Sequence, residues 1–251
     1  MKRKITVIQA LLVLIFILCA GYAGKYFYDA NKAQSEYDTL RQTVENSAPA
    51  DASDGYIEKR ADNGMLEKYY LLYTQNSDMV GWLNIPDTAI DYPVVQYTDN
   101  DFYLHRNFEK KNSYSGIPFL DYECAADSTN KIIYAHNMKN GSMFAALNEY
   151  ADKEFYNSHK RINFDTLYDE GEYEVISVFS VKVGVKDEFK YYEYTDLSDE
   201  ERFCEYTDKL KSLSLYDTDA DAQWGDSLIT LSTCAYHTSD ERFVVAAKKI
   251  K

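Results

Sequence analysis

Positive charge is in short supply: 27 Lys and Arg stand against 41 Asp and Glu, a formal charge of −14 over 251 residues. Phosphate binding needs clustered cations that release counterions, so a nucleic-acid partner is excluded and a solvated acidic surface is expected. Cysteine is sparse as well. Cys19, Cys124, Cys204 and Cys234 lie far apart, with neither the density of a disulfide framework nor a closely spaced pair suited to a metal. There is no internal repeat and no glycine-rich phosphate loop. Imidazole is limited to His105, His136, His159 and His237, so chemistry that requires one must draw on these.

Apolar residues make up 45% of the chain, and 24 Tyr and 12 Phe supply the bulk for a β-rich core. The length suits one substantial domain plus an appendage. That appendage opens with Met1-Lys2-Arg3-Lys4, followed by an apolar stretch over residues 5–23 that is about long enough to cross a bilayer. The basic flank places the N-terminus in the cytoplasm and everything after Lys25 outside. Gly21-Tyr22-Ala23 offers small residues that a signal peptidase could use, so cleavage is the competing reading, and export holds under either. Leu18 before Cys19 argues against lipidation. Three cysteines then lie outside, an odd number that leaves at least one thiol unpaired in an oxidising compartment.

Residues 26–44 read as a helical stalk and 47–55 as a small-residue linker, so the folded domain is expected from residue 56. The expected divisions are a basic tail at 1–4, a transmembrane anchor at 5–24, a stalk and linker at 25–55 and a catalytic domain at 56–251. Residues 56–75 carry a mostly helical pattern broken near Gly64. Short apolar and β-branched runs follow at 81–85, 92–95, 117–120, 131–134, 161–164, 173–185, 227–233 and 242–248. About eight strands at this spacing predict a closed or nearly closed β-barrel. Helices are expected over 142–157 and 198–213, the second opening with the capping-box pattern Ser198-Asp199-Glu200-Glu201 and turning Phe203, Thr207, Leu210 and Leu213 to one side.

The run Ser227-Leu228-Ile229-Thr230-Leu231-Ser232-Thr233-Cys234 is a β-branched strand ending on a cysteine. Such a cysteine is ordinarily small packing material. Eight residues on, Arg242 starts another strand, and a hairpin would bring Cys234 and Arg242 together where its loop leaves. A guanidinium beside a thiol lowers its pKa and can stabilise an oxyanion; the plain alternative pairs Arg242 with Asp240 or Glu241. A thiol nucleophile also needs an acid/base. His136 ends a strand-like run, as Cys234 does, and strand ends are where function tends to sit. His237, three residues from Cys234, is the rival on distance. His159 lies at a polar helix exit, and His105 could line a groove.

At these residues the chain resembles the class B sortases. Thr230-Leu231-Ser232-Thr233-Cys234, Arg242-Phe243-Val244-Val245 and Ile133-Tyr134-Ala135-His136-Asn137-Met138 are similar to that family's cysteine, arginine and histidine motifs, in its order. The likeness extends through Gly81-Trp82-Leu83, Asp91-Tyr92-Pro93-Val94-Val95-Gln96, Asp99-Asn100-Asp101-Phe102-Tyr103-Leu104, Gly116-Ile117-Pro118-Phe119-Leu120-Asp121 and Ser142-Met143-Phe144. Ala135 stands where Gly is common, and Pro118 where a small residue often precedes the Phe.

The resemblance implies a mainly β fold with flanking helices, a sortase-type eight-stranded β-barrel with an N-terminal helical extension and membrane anchor. It implies that Cys234, His136 and Arg242 are catalytic, with no metal or other cofactor. Asn100 and Leu104 fall in the stretch that lines the family's substrate groove, and Ser232 lies two residues before the nucleophile on the same strand face; for each of the three a turn or packing role is the plain alternative. The partners it implies are secreted proteins bearing a C-terminal NPxTx or PxTG sorting signal, cut after Thr, and a peptidoglycan precursor amine. Alternatives are a pilus-polymerising sortase, a non-catalytic surface-binding module and a simple cysteine peptidase.

Overall fold

Runs such as Leu228-Ile229-Thr230-Leu231 and Phe243-Val244-Val245-Ala246-Ala247 are apolar or β-branched at every position, the pattern of strands covered on both faces. The computed structural model describes residues 2–47, 60–234 and 240–251. It holds eight strands: β1 (Met79–Asn84), β2 (Asp91–Gln96), β3 (Phe119–Leu120), β4 (Asn130–Tyr134), β5 (Arg161–Thr166), β6 (Glu172–Lys182), β7 (Leu228–Cys234) and β8 (Glu241–Lys249). They form a closed barrel in the order β1-β2-β3-β4-β7-β8-β6-β5, with β5 returning to β1. The expected eight-stranded barrel is the observed fold.

Two pairs are parallel, β2 with β3 and β4 with β7; the rest are antiparallel. Ile132, Ile229, Leu231, Val244, Val245, Ala246 and Ala247 are all buried. Barrel closure depends on Gly81, since a Cβ there would lie 2.2 Å from the Asp165 carbonyl oxygen of β5. A real Cβ never comes so close, and glycine is the residue that permits such an approach.

The helices are α1 (Lys2–Ser47), α2 (Glu67–Gln75), α3 (Lys153–Ser158) and α4 (Glu200–Leu213). Two compact units divide the chain, Met1–Thr39 and Leu40–Lys251. In the first, Thr6–Lys25 is long and apolar enough to span a bilayer. In the second, Arg41 near the end of α1 donates to the Asp91 carbonyl at 2.9 Å, and its guanidinium lies over the Tyr92 ring. Most of the expected linker, 48–55, lies outside the described residues.

Three local expectations need correction. Helix over 56–75 is confined to Glu67–Gln75; before it the chain turns at Gly64 (φ 81°) and makes a bridge between Arg60 and Leu66, while 56–59 lie outside the described residues. The helix expected over 142–157 is a 3₁₀ segment, Ala145–Ala151, followed by α3, and the break is at Asp152, whose carboxylate caps α3 by accepting from the Glu154 N–H. The cap of α4 is Asp199 rather than Ser198, accepting from the Arg202 N–H at 2.9 Å. The buried face of α4 is Phe203, Tyr206 and Leu210; Thr207 stays half-buried and turns its hydroxyl back to the Phe203 carbonyl. This face packs on β6, where Ser177 donates to the Leu210 carbonyl at 2.8 Å.

Candidate active site

One rim of the barrel is formed where β4 and β7 end and β8 begins. Because β4 and β7 run parallel with Tyr134 beside Ser232, the chain leaves both strands at the same level, towards His136 from one and Cys234 from the other. Adjacent strands are about 5 Å apart, so these two backbones are neighbours. On the other side of β7, Cys234 pairs directly with Arg242, the second residue of β8, which also pairs with Val181 of β6. The hairpin anticipated from the sequence is present, and the register brings 136, 234 and 242 to three neighbouring positions. His237 and most of the loop between β7 and β8 lie outside the described residues.

Arg242 is half-buried, and its Nη1 donates to the Glu241 carbonyl at 3.3 Å. The backbone around His136 is pinned from both sides. Ala135 N–H donates to the Ser232 carbonyl at 3.3 Å, Thr233 Oγ1 donates to the Ala135 carbonyl at 2.7 Å, and Phe144 N–H donates to the His136 carbonyl at 2.9 Å. The half-buried His136 ring places Nε2 2.9 Å from the Leu104 carbonyl oxygen. Burial pulls its pKa below the ordinary 6.5; the Leu104 carbonyl opposes that shift by favouring the charged ring, and nearby His105 adds to it. The two rings are 6.2 Å apart, with His105 exposed and 3.9 Å from Asp101. His159 stands elsewhere, at the end of α3, bonded through Nδ1 to the Phe155 carbonyl and stacked on the Phe155 ring.

Of the residues expected in the groove, Leu104 belongs to the 3₁₀ turn Tyr103–His105 and contributes its backbone oxygen to His136. The Asn100 side chain is engaged at both ends: its amide donates to Asp121 Oδ2 at 3.0 Å, and its oxygen accepts from the Tyr122 N–H at 3.0 Å. Ser232 is buried, and its hydroxyl shares a 2.6 Å hydrogen bond with Tyr191 from the β6–β7 connection.

Asp121, Tyr134 and Gly116 stand in the sequence only as members of longer motifs, with no role of their own. Asp121 is buried and accepts from Asn100 and from the Tyr134 hydroxyl (2.8 Å), tying the Asn100 loop to β4 two residues before His136. Burial is the signal that separates Asp121 from the many surface carboxylates, and burial of a single acid is not visible in a sequence. Among the other thiols, Cys124 is buried, donates to the Asn130 carbonyl and has its pKa pushed up to about 11 by burial, which keeps it protonated and unreactive. Cys204 is exposed on α4 and Cys19 lies in the apolar span.

A family profile described as the sortase domain matches residues 83–250. Sortase B of Listeria monocytogenes is 34% identical over 240 residues, which cover 94% of this chain and 92% of that protein. The crystal structure of sortase B from B. anthracis superposes with a TM-score of 0.77 at 32% identity, covering 90% of this chain and 99% of that one. A Staphylococcus aureus sortase B–substrate complex gives a TM-score of 0.77 at 27% identity, covering 89% and 99%.

Proposed function

The chain belongs to the sortase family of cysteine transpeptidases, in its class B branch, and from that premise we propose that it cleaves a C-terminal sorting signal of NPxTx or PxTG type after Thr. The acyl group then passes to an amine of a peptidoglycan precursor. Support for a peptide substrate comes from the S. aureus relative, whose structure is a substrate complex.

In this reading the Cys234 thiolate attacks the Thr carbonyl carbon and forms a tetrahedral oxyanion, which the Arg242 guanidinium stabilises. His136 gives its proton to the departing amide nitrogen as the C–N bond breaks, leaving a thioester on Cys234. The incoming amine attacks the thioester, His136 takes up the proton the amine loses, and the thiolate leaves. Asn100, Leu104 and Ser232 support the peptide groove: Leu104 from its 3₁₀ turn, Asn100 through the loop it ties down, and Ser232 through its bond to Tyr191. No cofactor takes part. The observation that carries the reading is the strand register, with Cys234 paired to Arg242 and β4 delivering His136 alongside β7.

The proposed arrangement in the cell is a cytoplasmic tail at 1–4, a single-pass anchor at 5–24, a stalk at 25–55 and an extracellular catalytic domain from 56 onward. The apolar helix Thr6–Lys25 and its basic flank support it. The test uses fluorogenic peptides carrying NPQTN, NPKTG, SPKTG, PPKTG or LPETG, with and without an amine acceptor. Cleavage after Thr that Cys234→Ala abolishes, with an acyl-transfer product when amine is added, is the expected result. A folded protein that cuts none of them, or only hydrolyses them, counts against it.

A further inference from the structure

The hydrogen bond at His136 carries information about which of its two nitrogens does the chemistry. A carbonyl oxygen can only accept, so the 2.9 Å contact between Nε2 and the Leu104 oxygen requires the proton on Nε2. The backbone around Leu104 is arranged to make that contact. The carbonyls on either side are occupied by the facing strand of chain: Tyr103 accepts from the Ile117 N–H at 3.2 Å and His105 from the Ser113 N–H at 2.9 Å. The Leu104 carbonyl is left for His136.

Gly116 lies against this carbonyl at φ 56°, and a Cβ there would lie 2.6 Å from the Leu104 oxygen and 2.7 Å from the Tyr103 oxygen. Any side chain at 116 would have to push these backbone groups away, and backbone yields less readily than the end of a side chain. The bare Cα therefore leaves room for a carbonyl 32 residues from the histidine in sequence.

We propose that Gly116 and the Leu104 carbonyl are positioning elements that hold His136 as the Nε2–H tautomer, so that Nδ1 is the nitrogen that gives and takes the proton. This rests on His136 being the acid/base of the proposed reaction. The proton taken from the Cys234 thiol resides on Nδ1, passes from Nδ1 to the amide nitrogen as the C–N bond breaks, and returns to Nδ1 from the amine as the new C–N bond forms. Nε2–H donates to Leu104 throughout, in both the neutral and the charged ring. The fixed acceptor orients the ring and favours the cation, as an orienting carboxylate does in other acid/base histidines.

The test is made on the full chain in detergent micelles with isotope-labelled histidine, reading nitrogen–proton correlation spectra above the imidazole pKa and assigning His136 by its loss in His136→Gln. A neutral ring protonated on Nε2 is expected in the wild type; protonation on Nδ1 overturns the proposal. In Gly116→Ala the tautomer should become mixed and kcat for peptide cleavage should fall about tenfold, the worth of one ordinary hydrogen bond, with KM little changed. Gly116→Asn separates the two possible origins, because asparagine tolerates positive φ but still carries the Cβ; it should lose the tautomer likewise. A folded variant with wild-type tautomer and rate overturns the role of Gly116, and if neither variant folds the wild-type spectrum still decides the tautomer. A wild-type Nε2–H ring in a protein that cuts no sorting peptide strikes the function reading and leaves the tautomer standing.

Discussion

Replacing Asp121 by asparagine tests how much of the site is held by one buried carboxylate. Asp121 is 3% exposed, and Oδ2 accepts from the Asn100 amide at 3.0 Å and the Tyr134 hydroxyl at 2.8 Å, while Oδ1 accepts from the Glu123 N–H at 2.9 Å. Asp121→Asn keeps the volume but turns one acceptor into a donor. Placed on the Oδ2 side, the new amide meets the Asn100 amide donor to donor; flipped, it meets the Glu123 N–H. Either way one buried donor is orphaned and the remaining bonds lose their charge assistance, a cost of about 1.5–3 kcal/mol. At roughly 2–4 °C per kcal/mol for a domain of this size, Tm should drop by about 3–12 °C. Because Asn100 closes the loop that leads into the Leu104 turn, KM for the sorting peptide should rise as well. Thermal unfolding and peptide-cleavage kinetics on the same preparation read both quantities. A stability within about 0.5 kcal/mol of the wild type, the range of an ordinary surface substitution, together with an unchanged KM would refute the reasoning.

Arg242→Ala should lower kcat by about 10²–10³, the usual cost of removing one oxyanion donor, with Cys234 still present; a fall of less than about threefold would reduce Arg242 to a surface ion-pair residue. The pH dependence of stability should carry the mark of His136. Its pKa is lowered in the fold by burial, so the unfolded chain binds the extra proton first as pH falls below about 6.5, and the folded state loses stability from there down to the folded value. His136→Gln should remove that part of the slope, and wild-type and variant stability curves that stay parallel through this window would contradict it.

Much of the architecture could be read from local pattern. Strands such as Leu228–Cys234 and Glu241–Lys249 announce themselves because a stretch covered on both faces needs an apolar or β-branched residue at nearly every position. The apolar span near the N-terminus is equally plain, since bilayer thickness sets its length. Helical detail was less legible. Ser198 and Asp199 are both good caps, and which of them caps α4 is decided by where the helix must begin to lay Phe203, Tyr206 and Leu210 on β6. The 142–157 stretch breaks at Asp152 because an aspartate that caps a new helix competes with continuing the old one.

The sequence by itself determined the kind of protein this is: the barrel strands, the apolar N-terminal segment, and the order of the His, Cys and Arg motifs are properties of composition and linear spacing. The tertiary structure decided what surrounds them. The parallel pairing of β4 with β7 joins segments about a hundred residues apart, and a register between such distant strands has no local signature. The same holds for the Leu104 carbonyl at His136, the glycine that leaves room for it, and the carboxylate of Asp121 that ties Asn100 to Tyr134. These are contacts of backbone atoms and of one buried acid, and they exist only once the closed barrel brings separate loops to the same rim.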